Sequence, residues 1–204
     1  MTKINLRFKK SVAVLGAVCL SIAGLGADKK AEAFKPGPAA SYKGHQKQGG
    51  FVIAAETYVT DQQAKSAFGK VNPYEEGALP VLVVIANEGK QTIDVSRMRF
   101  RYLAPDGTKA DALPANEVKY LKAPSKPRVG PGPIPGVNRK KKNPLAAEEI
   151  ESRAFAVKML PPGDSAHGFV YFQVDHKPGS LLYVSGMREA GTGTELIFME
   201  IPIQ

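Results

Sequence analysis

The sequence is poor in the residues that most often do chemistry. Its 204 residues include one cysteine, Cys19, and three histidines, His45, His167 and His176. Cys19 lies in the N-terminal apolar stretch, so the rest of the chain has no thiol. This excludes disulfide staples, thiolate metal sites and a cysteine nucleophile there. The histidines are scattered. His45 falls in a Pro/Gly-containing segment, and His167 and His176 flank one strand-like stretch, about 30 Å apart if extended. Met98, Met159, Met187 and Met199 mostly alternate with other apolar residues and read as core rather than as copper ligands. "GTGT" and "GPGPIPG" lack phosphate-loop spacing. Beyond the N-terminus no apolar run is long enough to span a membrane.

The N-terminus has the three parts of a secretory signal. Lys3, Arg7, Lys9 and Lys10 form a basic start, Ser11 to Ala27 is uncharged and apolar, and Ala31-Glu32-Ala33 offers small residues where a signal peptidase needs them. Residues 1–33 are therefore expected to be a signal peptide, cut between Ala33 and Phe34, giving a secreted or periplasmic protein. An uncleaved anchor is the alternative, although 17 apolar residues fall short of the roughly 20 of a spanning helix. Cys19 lacks a lipoprotein context: Val18 precedes it, with Gly16 three positions before it. Six of the 28 Lys and Arg and two of the 19 Asp and Glu lie in 1–33, so 22 basic and 17 acidic residues remain, a net charge near +5.

Residues 34–50, with three Gly after Pro36-Gly37-Pro38 and no apolar period, read as a flexible linker. Strand signals then begin. "FVIAAETYV" is short and apolar. "LPVLVVIANEGK" is nearly continuous and apolar, the pattern of a central strand buried on both faces. In "IDVSRMRFRYLAPDGT", Met98, Phe100 and Tyr102 alternate with Arg97, Arg99 and Arg101, which predicts a half-buried strand with a basic solvent face. "EVKYL" adds a short strand. After an interruption come "AFAVKMLPPGDSAHGFVYFQVD", "SLLYVSGM" and "TELIFMEIPI". The rhythm predicts a mainly-β fold for residues 51–204: a single domain, an antiparallel two-sheet sandwich of seven or eight strands with one short helix. A mixed barrel is the alternative.

The turns of "NEGKQTIDVSRMRFRYLAPDGT" and "MLPPGDSAHGFVYF" give a resemblance. They resemble those of immunoglobulin-like domains of secreted bacterial proteins, especially the largely uncharacterised DUF4352 type. The resemblance implies a sandwich, an extracytoplasmic setting and no catalytic residues. It supplies no site residue, and the 122–154 insertion departs from it.

That insertion is the main candidate for function. Residues 122–143 form a Pro/Gly/basic loop with Pro124, Pro127, Pro131, Pro133 and Pro135, a composition that forbids a helix or central strand. Lys122, Lys126, Arg128, Arg139, Lys140, Lys141 and Lys142 put seven cations in 21 residues with no acid among them. A short helix over 144–153 follows, with Asn143 as its cap, Pro144 at its first position, Glu148 and Glu149 near its positive end, and Leu145, Ile150 and Phe155 to dock it. The loop is either a connector or a binding element for an anionic envelope polymer, a lipid surface or an acidic protein. Nucleic acid is not expected, because the loop has no aromatic residues for stacking. Asp164-Ser165 with His167 reads as a turn opening a strand rather than a catalytic serine site. The expectation is a non-enzymatic extracytoplasmic binding or structural module without cofactor or metal. It would act through the loop and through Arg97, Arg99 and Arg101. A small-ligand or metal carrier of the envelope and a hydrolase are the alternatives.

Overall fold

The computed structural model describes residues 34–121, 143–196 and 198–204. In chain order its elements are β1 (His45–Gln48), β2 (Phe51–Thr57), α1 (Asp61–Phe68), β3 (Leu79–Asn87), β4 (Ile93–Asp94), β5 (Arg99–Leu103), β6 (Lys109–Asp111) and α2 (Ala115–Val118), followed by α3 (Glu148–Ser152), β7 (Met159–Leu160), β8 (Ser165–Phe172), β9 (Leu181–Ser185), β10 (Arg188–Glu189) and β11 (Met199–Pro202). They build three antiparallel sheets, ordered β1-β2-β3-β8, β11-β9-β5-β6 and β10-β4-β7. The fold is mainly β, an antiparallel sandwich, as the strand rhythm implies. Among the described residues the strands number eleven, because four of them, β4, β6, β7 and β10, have only two or three residues.

The unbroken apolar run of β3 has a simple cause. Alternate residues serve two different cores. Val81, Val83 and Ile85 face the β11-β9-β5-β6 sheet, together with Phe172, Tyr102, Leu182 and Ile201. Leu82 and Val84 face the other way, with Phe169 and Tyr171, onto a layer made by Ala67 and Phe68 of α1, Val118 of α2 and Ile150 of α3. The molecule is thus helices on sheet on sheet, and β3 runs through its middle. The two-residue strands of the β10-β4-β7 sheet add Ile93 and Leu160 to the first core.

The turns behind the resemblance meet at one corner. Asn87 is 1 % exposed. Its side-chain amide donates to the Gln91 carbonyl at 2.8 Å and the Leu160 carbonyl at 2.9 Å, and its Oδ1 accepts from Gly89 N at 3.0 Å. Its carbonyl accepts from Gly163 N at 2.7 Å, and its N–H donates to the Asp164 carbonyl at 2.9 Å. A buried amide must be paired to be tolerated, and here the pairing ties the β3 end to the turn that opens β8.

Three segments differ from the sequence reading. Residues 34–50 are not a spacer: His45–Gln48 pair with Phe51–Ala54 as the edge strand β1. Phe34 lies 5.5 Å from the Phe169 ring. An exposed edge strand needs no apolar period, so His-Gln-Lys-Gln gave no signal. "EVKYL" is not a strand, because Ala115–Val118 form α2 after Pro114. The single helix expected over 144–153 is a 3-10 turn, Pro144–Ala146, followed by α3. Asn143 does cap that first turn, its Oδ1 accepting from Leu145 N at 3.0 Å, and Leu145 and Ile150 are buried as expected. The polar stretch after β2 is also helical. Thr60 and Gln63 form a reciprocal capping box at the start of α1.

Candidate functional site

Period-two alternation on three neighbouring strands makes one open face. On β5, Tyr102 is fully buried while Arg99 and Arg101 are exposed. On β9, Leu182 and Val184 enter the core and Tyr183 turns outward. On β11, Met199 and Ile201 are buried and Glu200 and Pro202 exposed. The register sets Arg101 opposite both Tyr183 and Asp111, Tyr183 opposite Glu200, and Arg99 opposite Ser185. The face therefore carries cations and an aromatic group side by side, while the core beneath it is apolar.

A second aromatic side chain completes it. Phe198, just before β11, is 52 % exposed. Its ring is stacked on that of Tyr183, with centroids 5.3 Å apart and an interplanar angle of 28°. Leaving a phenyl ring this open forgoes about 1 kcal/mol or more of burial, and with the half-buried Tyr183 behind it the Phe198 ring is a flat apolar surface presented to solvent. Arg101 Nε donates to Asp111 Oδ1 at 2.7 Å, and this hydrogen bond raises its pKa further. The guanidinium is thereby held along the sheet. Arg99 has no ion-pair partner among the described residues.

Arg97 does not share the strand face expected of it. Asp94 accepts from Ser96 N at 2.9 Å and from Ser96 Oγ at 2.5 Å, a tight side-chain turn that interrupts the chain between β4 and β5. The hydrogen bonds from Ser96 hold the Asp94 carboxyl below its ordinary range. Arg97 is exposed in that turn, its carbonyl packed so closely on Gly186 that a Cβ there would come within 2.2 Å of it.

The seven loop cations, Lys122, Lys126, Arg128, Arg139, Lys140, Lys141 and Lys142, lie outside the described residues. The residues that flank them do not. Leu121 packs into the helix-side core, and Asn143 Nδ2 donates to the Lys119 carbonyl at 2.6 Å. Both flanks thus belong to the helical layer, on the opposite side of the central sheet from Arg99 and Arg101.

The other candidates are dispersed. Ser165 and His167 are both exposed on β8, with no hydrogen bond between them among the described residues. His45 Nδ1 lies 2.6 Å from the Tyr42 carbonyl oxygen. His176 is half-buried against Tyr102, ring to ring 6.3 Å. No group of three or more His, Cys, Asp or Glu side chains converges among the described residues. Met187 and Met199 are core, but Met159 is 48 % exposed, because the two-residue β7 alternates Leu160 inward and Met159 outward.

No protein-family model matches the chain, and no curated protein matches it. Two solved structures are weakly similar in shape. The Northeast Structural Genomics Consortium target SoR45 aligns at 12 % identity with a TM-score of 0.37, over 74 % of this chain and 82 % of its own. The secreted protein MPT63 of Mycobacterium tuberculosis aligns at 14 % identity with a TM-score of 0.32, over 80 % of this chain and 95 % of its own.

Proposed function

We propose that the chain is a non-enzymatic, extracytoplasmic binding module that takes an acidic polysaccharide on the outer face of the β11-β9-β5-β6 sheet. The observation that carries this reading is the stack of the exposed Phe198 on the half-buried Tyr183, beside Arg99 and Arg101. Sugar rings present apolar C–H faces that match a flat aromatic platform. Their carboxylates match the planar fork of a guanidinium. Strands hold Arg99, Arg101 and Tyr183 before the ligand arrives, so little ordering cost is left for binding. The loop cations of 122–142 act as a second, purely electrostatic contact. The Asn87 corner is in keeping with an immunoglobulin-like module of the DUF4352 kind. Among the described residues no helix is long and apolar enough to cross a membrane.

Calorimetric titration with alginate, against neutral dextran and a single-stranded oligonucleotide, tests the reading. Alginate binds and dextran does not. Replacing Tyr183 and Phe198 together by Ala weakens alginate by about tenfold, the equivalent of about 1.4 kcal/mol of lost stacking. Replacing Arg139, Lys140, Lys141 and Lys142 by Ser lowers only the part of the affinity that fades as salt shortens the screening length below about 8 Å. Absence of alginate binding at low salt, unchanged affinity in the aromatic variant, or preference for the oligonucleotide contradicts it. Export is tested separately. N-terminal sequencing of protein released from the envelope should begin at Phe34, and an intact Met1 in the membrane fraction contradicts cleavage.

A further inference from the structure

A cleft of about 510 Å3, outside the face just described, opens between residues 37–44, β2 and the segment after β11. That size falls within the range of small-molecule sites. Its walls are polar and firmly built. Gly44 is wedged between strands: its carbonyl accepts from Ala55 N at 2.9 Å, and a Cβ would stand 2.0 Å from the Pro202 carbonyl oxygen. Ser41 Oγ donates to the Pro38 carbonyl at 2.7 Å, and Tyr42 Oη accepts from Gly37 N at 3.1 Å. Thr57 Oγ1 donates to the Gln204 carbonyl at 2.5 Å. Ser41, Tyr42, Lys43, Glu56 and Gln204 all contribute to the lining.

Glu56 is the anomaly. It occupies the side of β2 that Val52 and Ala54 use to meet the helical layer, and it is half-buried. Among the described residues its carboxylate has neither a hydrogen-bond nor an ion-pair partner. Burial pushes its pKa up. The Tyr42 and Tyr58 hydroxyls are raised as well, mainly by burial and in part by the negative charge of Glu56. A charged group held partly out of water without a partner is costly, and proteins keep such groups where something else supplies the partner.

We propose that the cleft is a binding site for a small primary-ammonium ligand of amino-sugar size, its ammonium paired with Glu56. One carboxylate among hydroxyl and amide groups suits a monocation. A hard divalent ion demands six or more oxygens, several of them charged. The ammonium presents three N–H donors to the carboxylate and to hydroxyls of the lining such as Ser41 Oγ. The hydroxyls, the Gln204 side chain and the exposed Lys43 at the rim suit a hydroxyl-rich body rather than an apolar one. The site is independent of the polysaccharide face, and either can fail without the other.

The test uses glucosamine, N-acetylglucosamine and glucose as probes of the purified protein by calorimetry. Glucosamine binds at least tenfold more tightly than the other two, which keep the ring but lack the ammonium. E56Q removes that preference without lowering the melting temperature, because the amide no longer has to bury a charge. Alginate affinity is unchanged in E56Q. Equal binding of the three sugars, or no binding of glucosamine in the millimolar range, overturns the proposal. So does stabilisation by calcium that E56Q abolishes, which would make the cleft a metal site. The comparison of the three sugars on the wild-type protein decides the matter even if the variant does not fold.

Discussion

Replacing Phe172 by Ala examines the placement of β8, on which both cores depend. Phe172 is fully buried, opposite Leu79 on β3 and 6.0 Å from the Tyr102 ring. A buried phenylalanine hides about 150 Å2, which at about 25 cal/mol per Å2 is worth about 4 kcal/mol. Measured Phe→Ala losses of about 3–5 kcal/mol agree with that figure. With a urea dependence of about 1–3 kcal/mol per M, the unfolding midpoint should fall by about 1.3–4 M. Equilibrium urea unfolding followed by circular dichroism reads this directly. Tyr120→Ala is the control. Tyr120 is 73 % exposed, and its loss should cost about 0.5 kcal/mol or less. Equal midpoints for the Phe172 variant and the wild type would refute the β3–β8 register and the two-core assignment that follows from it.

Gly44→Ala should be destabilising by more than 1 kcal/mol, on the order of an overpacked core site, since its Cβ meets the Pro202 carbonyl. A melting temperature equal to that of wild type would show that Gly44 and the end of β11 are not so close. His176 predicts a pH dependence. Desolvation lowers its pKa below 6.5 in the fold, and its Nδ1 is buried without a partner among the described residues. The unfolded chain therefore takes up this proton first. His176 favours the fold least in acid, and stability falls as pH drops through 6.5 toward the folded-state value. Melting temperatures at pH 7.5 and 5.5 should differ more for wild type than for His176→Asn, and identical differences would remove His176 as the cause.

The parts of the fold that the sequence made legible are those where one physical rule acts alone. The β3 run could only be a strand covered on both faces, and the Arg/aromatic alternation of β5 could only be half-buried. What covers the second face of β3 was harder to read. The helices α1, α2 and α3 have four to eight residues, too short for a clear helical period, although Thr60 and Gln63 announce α1 through their capping box. At the candidate site, Arg99 and Arg101 were visible as charges on an apolar strand. Tyr183 and Phe198 were not, because they lie on different segments and meet only through the β9–β11 register. Glu56 was hidden for a similar reason. A single acid in an apolar strand looks like an edge position until residues 37–44 fold over it.

The most direct measurement of the central claim is a nuclear magnetic resonance titration with an acidic oligosaccharide. It would be followed at the side-chain signals of Arg99, Arg101, Tyr183 and Phe198. The account predicts that these four move together and saturate at one affinity, while Phe34, packed in the helix-side core, stays in place. Saturable shifts centred on the helical layer, or none on the Tyr183–Phe198 pair, would contradict it.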